Sequence, residues 1–166
     1  MMDQDQVVTA VRASTVEVFS TMLGFDLTSG EPRTEVNAPG PSDGIIAVIG
    51  LAGAWVGTTS LSCDAAMACR MSTAMLGMDY TEVNEDVLDA ISEIANMVSG
   101  NFKTAAESYL GPLGLSIPTV VYGLSFSART AGKEKWIVVP FSCGKDAIEF
   151  KVCLTPNRGL PLASRH

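Results

Sequence analysis

The chain has 166 residues, 47% of them hydrophobic and 17% charged, and a formal net charge of −7. A chain of this size and apolar content buries a real core and is not disordered, and its negative charge argues against nucleic acid or anionic membranes as main partners. At this length we expect one domain over 1–166, and no apolar run reaches the ~18 residues needed to cross a bilayer, so no membrane span is expected.

The N-terminus, M-M-D-Q-D-Q, is acidic and lacks the basic start of a signal peptide. Residues 6–24 read as a first helix, in which Val8, Val11, Thr15, Val18 and Met22 form a helical stripe and Gly24 is a C-terminal cap. A loop follows through Ser29, Gly30 and Pro32 to Pro39-Gly40-Pro41-Ser42-Asp43-Gly44, with a short edge strand near Thr34–Val36. Residues 45–50, I-I-A-V-I-G, read as a buried strand, and 54–62 as its hairpin partner with the turn near Leu51–Gly53. Gly50, Gly53 and Gly57 belong to no G-K-[ST] or G-x-G-x-x-G motif. They read as a hairpin turn with a bulge or close packing.

Residues 64–76 form a second helix, with Ser62 or Asp64 near its N-cap, Gly77 after it, and methionines that fill an irregular core. The longest element spans 84–110. Leu88, Ile91, Ala95, Val98, Phe102, Ala105 and Tyr109 recur at alternating spacings of three and four, the mark of one buried face. Asn84 is a good N-cap, Glu85 and Asp86 suit the positive end of the helix dipole, and Gly111-Pro112 ends the helix.

A second stripe on the same helix joins Asp89, Glu93, Asn96, Gly100 and Lys103. Ser99 and Gly100 keep one turn low, and Gly100 costs about 1 kcal/mol relative to Ala inside a helix. A polar pair beside a costly bare patch suggests that something approaches closely.

Three more strands are expected at 117–126, 135–142 and 147–154. In the last, Ile148, Phe150 and Val152 face one way and Glu149 and Lys151 the other, which suits an antiparallel strand with one wet face. Ala131-Gly132-Lys133 and Gly144-Lys145-Asp146 are turn signals, and the tail from Thr155 is expected to be loose. The expected fold is α+β, with a mostly antiparallel sheet of about six strands covered by three helices. Residues 17–24 also echo residues 93–100: aligned on their glycines, Glu17 matches Glu93 and Ser20 falls where Asn96 is. A duplication with an internal pseudo-twofold is one reading of that echo, and chance similarity of two helices is the other.

His166 is the only histidine, which removes Ser-His-Asp and Cys-His catalysis and argues against zinc. Cys63, Cys69, Cys143 and Cys153 form no CxxC pair and read as reduced, buried thiols of a cytoplasmic protein. Glu93 and Asn96 cannot form a nucleophile–base couple. An asparagine amide can, however, hold a water and aim it at an electrophile, while Glu93 could pair with a partner's cation. From spacing alone, two solvated polar residues remain the alternative.

The stretch D-A-I-S-E-I-A-N-M-V-S-G-N-F-K, residues 89–103, resembles the signature helix of the CheC/CheX/FliY phosphatases of bacterial chemotaxis and flagellar signalling. That signature is Asp or Ser, then Glu, then Asn, with a Pro some two dozen residues on. Asp89, Glu93, Asn96 and Pro118 match it. Residues 49–62, the M-L-G that ends the second helix, and W-I-V-V-P-F-S at 136–142 are also similar to the family, so the likeness runs from about residue 8 to 155. One complete motif in a short chain looks most like the CheX branch. Ser20 stands where the family's Asn would be in the first helix, so the resemblance implies that this half is inactive.

The resemblance implies hydrolysis of the aspartyl phosphate of a CheY-like response regulator. The regulator would supply Mg²⁺, the phospho-Asp and a Lys, so no metal or cofactor is expected on this chain. Glu93 would engage the Lys and Asn96 would orient the attacking water. Asp89, Ser99, Gly100 and Lys103 would contact the partner, with Ser99 and Gly100 admitting its backbone. A homodimer joined through the sheets is also implied. Competing readings are a non-catalytic binding or sensing module of the same fold, and a small-molecule site at the Gly50–Gly57 turn.

Overall fold

Asp3 starts the first helix, α1 (Gln4–Val18), its side chain accepting a hydrogen bond from the Asp5 N–H at 2.9 Å. The structure, a computed structural model, describes residues 3–36, 44–123 and 134–159. The expected loop at 39–43, the end of the expected strand at 124–126, the turn at 131–133 and the end of the tail at 160–166 lie outside them. α1 continues into a π-helical turn, Phe19–Leu23, and stops at Gly24, whose φ of 69° is left-handed. The wider turn rotates the residues after Val18 out of the expected stripe. Phe19 and Leu23 therefore face the core, and Met22, expected there, is 48% exposed.

The strands are β1 (Thr28–Ser29), β2 (Arg33–Val36), β3 (Gly44–Gly53), β4 (Trp55–Cys63), β5 (Leu113–Leu115), β6 (Thr119–Gly123), β7 (Lys135–Cys143) and β8 (Asp146–Pro156). Among the described residues they form one antiparallel sheet of eight strands rather than about six. The additions, β1 and β5, are two and three residues long, too short to show an alternating pattern. The β3–β4 hairpin pairs from Ile45↔Cys63 to Leu51↔Gly57, and the last residues of β3 pair instead with β5. Gly57 is required by close packing: a Cβ there would run into the carbonyl oxygen of Cys153 on β8.

The pairing scheme has internal symmetry. β1 and β2 pair with β7, as β5 and β6 pair with β3, while β4 and β8 pair with each other at the centre. Exchanging α1 to β4 with the long helix α3 (Glu85–Leu110) to β8 returns the same order. α2 (Ala65–Leu76), between β4 and α3, has no counterpart among the described residues. Asp64 caps α2 by accepting from the Met67 N–H at 2.7 Å, and left-handed Gly77 ends it.

The helices cover one face of the sheet, burying Val11, Val18, Met67, Met71, Ile91, Val98 and Phe102 against Ile45, Ile49, Leu61, Ile148, Phe150 and Val152. The expected α3 stripe holds from Ile91 to Phe102, but Ala105 is exposed and Tyr109 only half-buried; Ala106 and Leu110 are buried instead. A strict three-four alternation repeats every 3.5 residues, whereas a straight helix repeats every 3.6, so the buried line drifts forward along a helix this long.

The other face of the sheet is drier than expected. Lys151 is 2% exposed, because it lies on a central strand opposite Ser60 of β4 and Val138 of β7, which cover its stem. Burial pushes its pKa down against the opposing pull of Glu149 and Glu35. Trp136 and Cys153 pack with Val138 on this face. The four cysteines are free; Cys143 is half-buried rather than buried. The tail is ordered further than expected: β8 runs to Pro156, and Asn157 bonds Ala54 O at 2.8 Å and Gly53 O at 2.9 Å. Among the described residues no helix is long and apolar enough to cross a membrane.

Candidate functional site

The position of α3 is set at both ends and along one side. Asn84 Oδ1 accepts the Val87 N–H at 3.0 Å, and Glu85 and Asp86 place negative charge in the first turn. At the far end Lys103 pairs with Glu107 at 2.9 Å, and Glu107 also accepts the Leu113 N–H at 3.0 Å, which ties the helix to β5. That backbone bond, then Lys103, holds the Glu107 carboxyl below its ordinary range. Between the ends, Ala90, Ile94, Ala95 and Val98 are buried.

Asp89, Glu93 and Asn96 are exposed on the opposite side. Glu93 and Asn96 are three residues apart, so their Cβ atoms are neighbours at about 5–6 Å. Among the described residues no hydrogen bond or ion pair engages Asp89, Glu93 or Asn96. Gly100, one turn on, is half-buried, and a Cβ added there meets no atom within 4 Å. The arrangement offers a carboxylate and a carboxamide to a visitor, carried on a rod whose other side is locked.

Two residues of the expected site do something else. Ser99 faces inward: it is 1% exposed and its Oγ lies 2.8 Å from Thr59 Oγ1 of β4. It is four residues after Ala95 and three before Phe102, so it belongs to the buried line and cannot line a partner surface. Lys103 is half-buried and occupied by Glu107. Pro118 lies on the link between β5 and β6, which is held to β3 by Ser116 Oγ accepting the Gly50 N–H at 2.8 Å. Glu17 of α1 and Ser20 of the π turn that follows it are both exposed.

A cleft that sequence reasoning did not single out adjoins Glu93. It has a volume of about 340 Å³ and is lined by Leu76, Met78, Tyr80, Asp86 and Asp89 as well as Glu93. Its only sequence signal is L-G-M-D-Y at 76–80, where apolar residues flank a helix-ending glycine. Among the described residues no group of three or more His, Cys, Asp or Glu side chains could hold a metal ion.

A family model for the chemotaxis phosphatase CheX matches residues 45–142. The chain is 29% identical over 128 residues to the CheY-P phosphatase CheX of Thermotoga maritima, covering 76% of this chain and 82% of that protein. The chemotaxis protein CheX of Desulfovibrio desulfuricans has the same fold, with a TM-score of 0.80 at 27% identity over 90% of this chain and 99% of that one. The fold also matches a chain of the CheX–CheY–BeF₃–Mg²⁺ complex of Borrelia burgdorferi, with a TM-score of 0.76 at 20% identity, covering 89% of this chain and 96% of that one.

Proposed function

This chain belongs to the CheX family of chemotaxis phosphatases, and from that membership we propose that it hydrolyses the aspartyl phosphate of a CheY-like response regulator. One observation carries the reading: Glu93 and Asn96 stand exposed and unengaged by described residues, one turn apart on a helix anchored along its other side. An Asn on a rigid rod can enter a partner's pocket without first giving up a bond of its own.

Asn96 accepts a hydrogen bond from a water and holds it in line with phosphorus. The water oxygen bonds to phosphorus as the bond to the aspartyl oxygen breaks, releasing inorganic phosphate and a free carboxylate. An acyl phosphate is already reactive, so positioning is the main contribution needed. Glu93 pairs with the regulator's Lys and sets the register. Mg²⁺ arrives with the regulator. Related proteins support the partner: a relative is a CheY-P phosphatase, and a CheX of this fold forms a complex with CheY. The reading also carries a cytoplasmic location and a homodimer, which sedimentation would check.

The test is phosphate release from a phosphorylated regulator. Asn96→Ala is expected to slow it at least ~100-fold, equivalent to roughly 2.7 kcal/mol of transition-state stabilisation. Equal rates would remove the mechanism, and an unchanged Glu93→Ala would remove the Lys pairing.

A further inference from the structure

We propose that the cleft between the α2–α3 loop and the first turns of α3 is a second anchor for the response regulator, receiving a segment that presents a Lys or Arg beside an apolar side chain. The proposal rests on the reading of Glu93 and Asn96 given above and adds where else the partner is held.

The cleft has two unlike walls. One is apolar: Leu76 and Met78 are 43% and 62% exposed, on either side of Gly77. The left-handed turn at Gly77 swings this loop beside α3. The other wall is acidic, with Asp86, Asp89 and Glu93 on α3. Asp89 and Glu93 are four residues apart and share a face, and among the described residues neither has a cationic partner. Such a pairing of walls suits the aliphatic stem and charged head of Lys or Arg, with an apolar neighbour on the Met78 side.

The walls are also held in place. The Tyr80 N–H donates to Thr73 Oγ1 at 3.1 Å, and the Tyr80 hydroxyl donates to Asp86 Oδ2 at 3.2 Å. The loop is thus pinned to α2 behind it and α3 in front, so little ordering cost remains for binding. Glu93 lines the cleft and stands one turn before Asn96, so the cleft adjoins the surface on which a regulator engaging Asn96 would sit. Local charge complementarity here offsets the lack of long-range attraction expected for a chain of net charge −7.

The test uses the full chain, with binding read by fluorescence anisotropy on beryllofluoride-loaded regulator and turnover on phosphorylated regulator. The exposed double variant Leu76→Ala/Met78→Ala is expected to raise both Kd and KM about tenfold while kcat stays within about twofold. Asp89→Asn is expected to weaken binding at low ionic strength, with the difference fading at about 0.5 M salt. An unchanged Kd and KM in the double variant overturns the proposal. If the wild type binds a regulator without hydrolysing it, the catalytic reading fails and the Kd of the double variant alone decides the cleft. If it binds none of the host's regulators, both are overturned.

Discussion

The hydroxyl oxygens of Ser99 and Thr59 lie 2.8 Å apart in the interior, tying α3 to the central strand β4 three residues after Asn96. Thr59 Oγ1 has one further contact, a long 3.4 Å bond to Ile49 O. The pair adds a polar tie to the buried apolar side of α3, the side opposite Asn96.

Ser99→Ala is therefore expected to cost about 1 kcal/mol in denaturant unfolding, because a buried hydroxyl loses its better partner. Thr59→Val should cost a similar amount. The double variant should cost less than the sum, by at least about 0.5 kcal/mol. Full additivity would show that the two hydroxyls do not act as a pair.

Gly100→Ala should split stability from activity. A Cβ at this position meets nothing within 4 Å, so the helix should gain up to about 1 kcal/mol. The resemblance implies that a regulator's backbone passes over this position; if it does, the same methyl obstructs it and KM for phosphorylated regulator should rise several-fold. A stabilised variant with wild-type KM would place the regulator's backbone elsewhere.

Arg70 of α2 forms an ion pair with the buried Asp146 at the β7–β8 turn, and its guanidinium lies 5.9 Å from the centre of the Phe25 ring. Arg70→Ala would leave the Asp146 carboxylate buried without that cation. We expect a loss of about 2 kcal/mol, below the full figure for a buried pair because Arg70 is itself exposed to solvent. A midpoint of denaturation within error of wild type would show that water replaces the guanidinium.

Cys63 sets a limit at high pH. Burial, reinforced by the charge of Asp64, pushes its thiol pKa from 9.0 up to about 12. Between these values the unfolded chain loses a proton that the folded chain keeps. Stability should thus be unaffected by this group below pH 9 and fall by up to about 1.4 kcal/mol per pH unit from 9 towards 12. The loss should shrink in Cys63→Ala, compared with wild type by chemical denaturation at pH 8 and pH 10.5. Native Cys63 should also resist alkylation at pH 8, since the thiolate is the nucleophile.

The α3 helix was legible because its signals are local. Asn84, the acidic first turn and Gly111 mark its ends, and a regular apolar stripe marks its inner face. The exposed trio Asp89, Glu93 and Asn96 followed from the same periodicity. Ser99 was expected at the partner surface because it adjoins Gly100, although its spacing from Ala95 and Phe102 puts it on the buried line; the contact with Thr59, forty residues away, agrees with the spacing. Lys151 was misplaced for another reason: alternation tells which residues share a face of a strand, and neighbouring strands decide whether that face is dry.

By itself the amino-acid sequence determined the α+β class, the caps and length of α3, the exposed Glu93–Asn96 pair and the likeness to the CheX family, all of which are written in short-range spacing or in shared motifs. Tertiary structure alone decided the interlocked order of the two halves, the pairing of Ser99 with Thr59, and the cleft where the Leu76–Tyr80 loop meets Asp89 and Glu93. Those features depend on groups distant along the chain being brought together, and a spacing rule that reaches one helical turn carries no information about what lies across the fold.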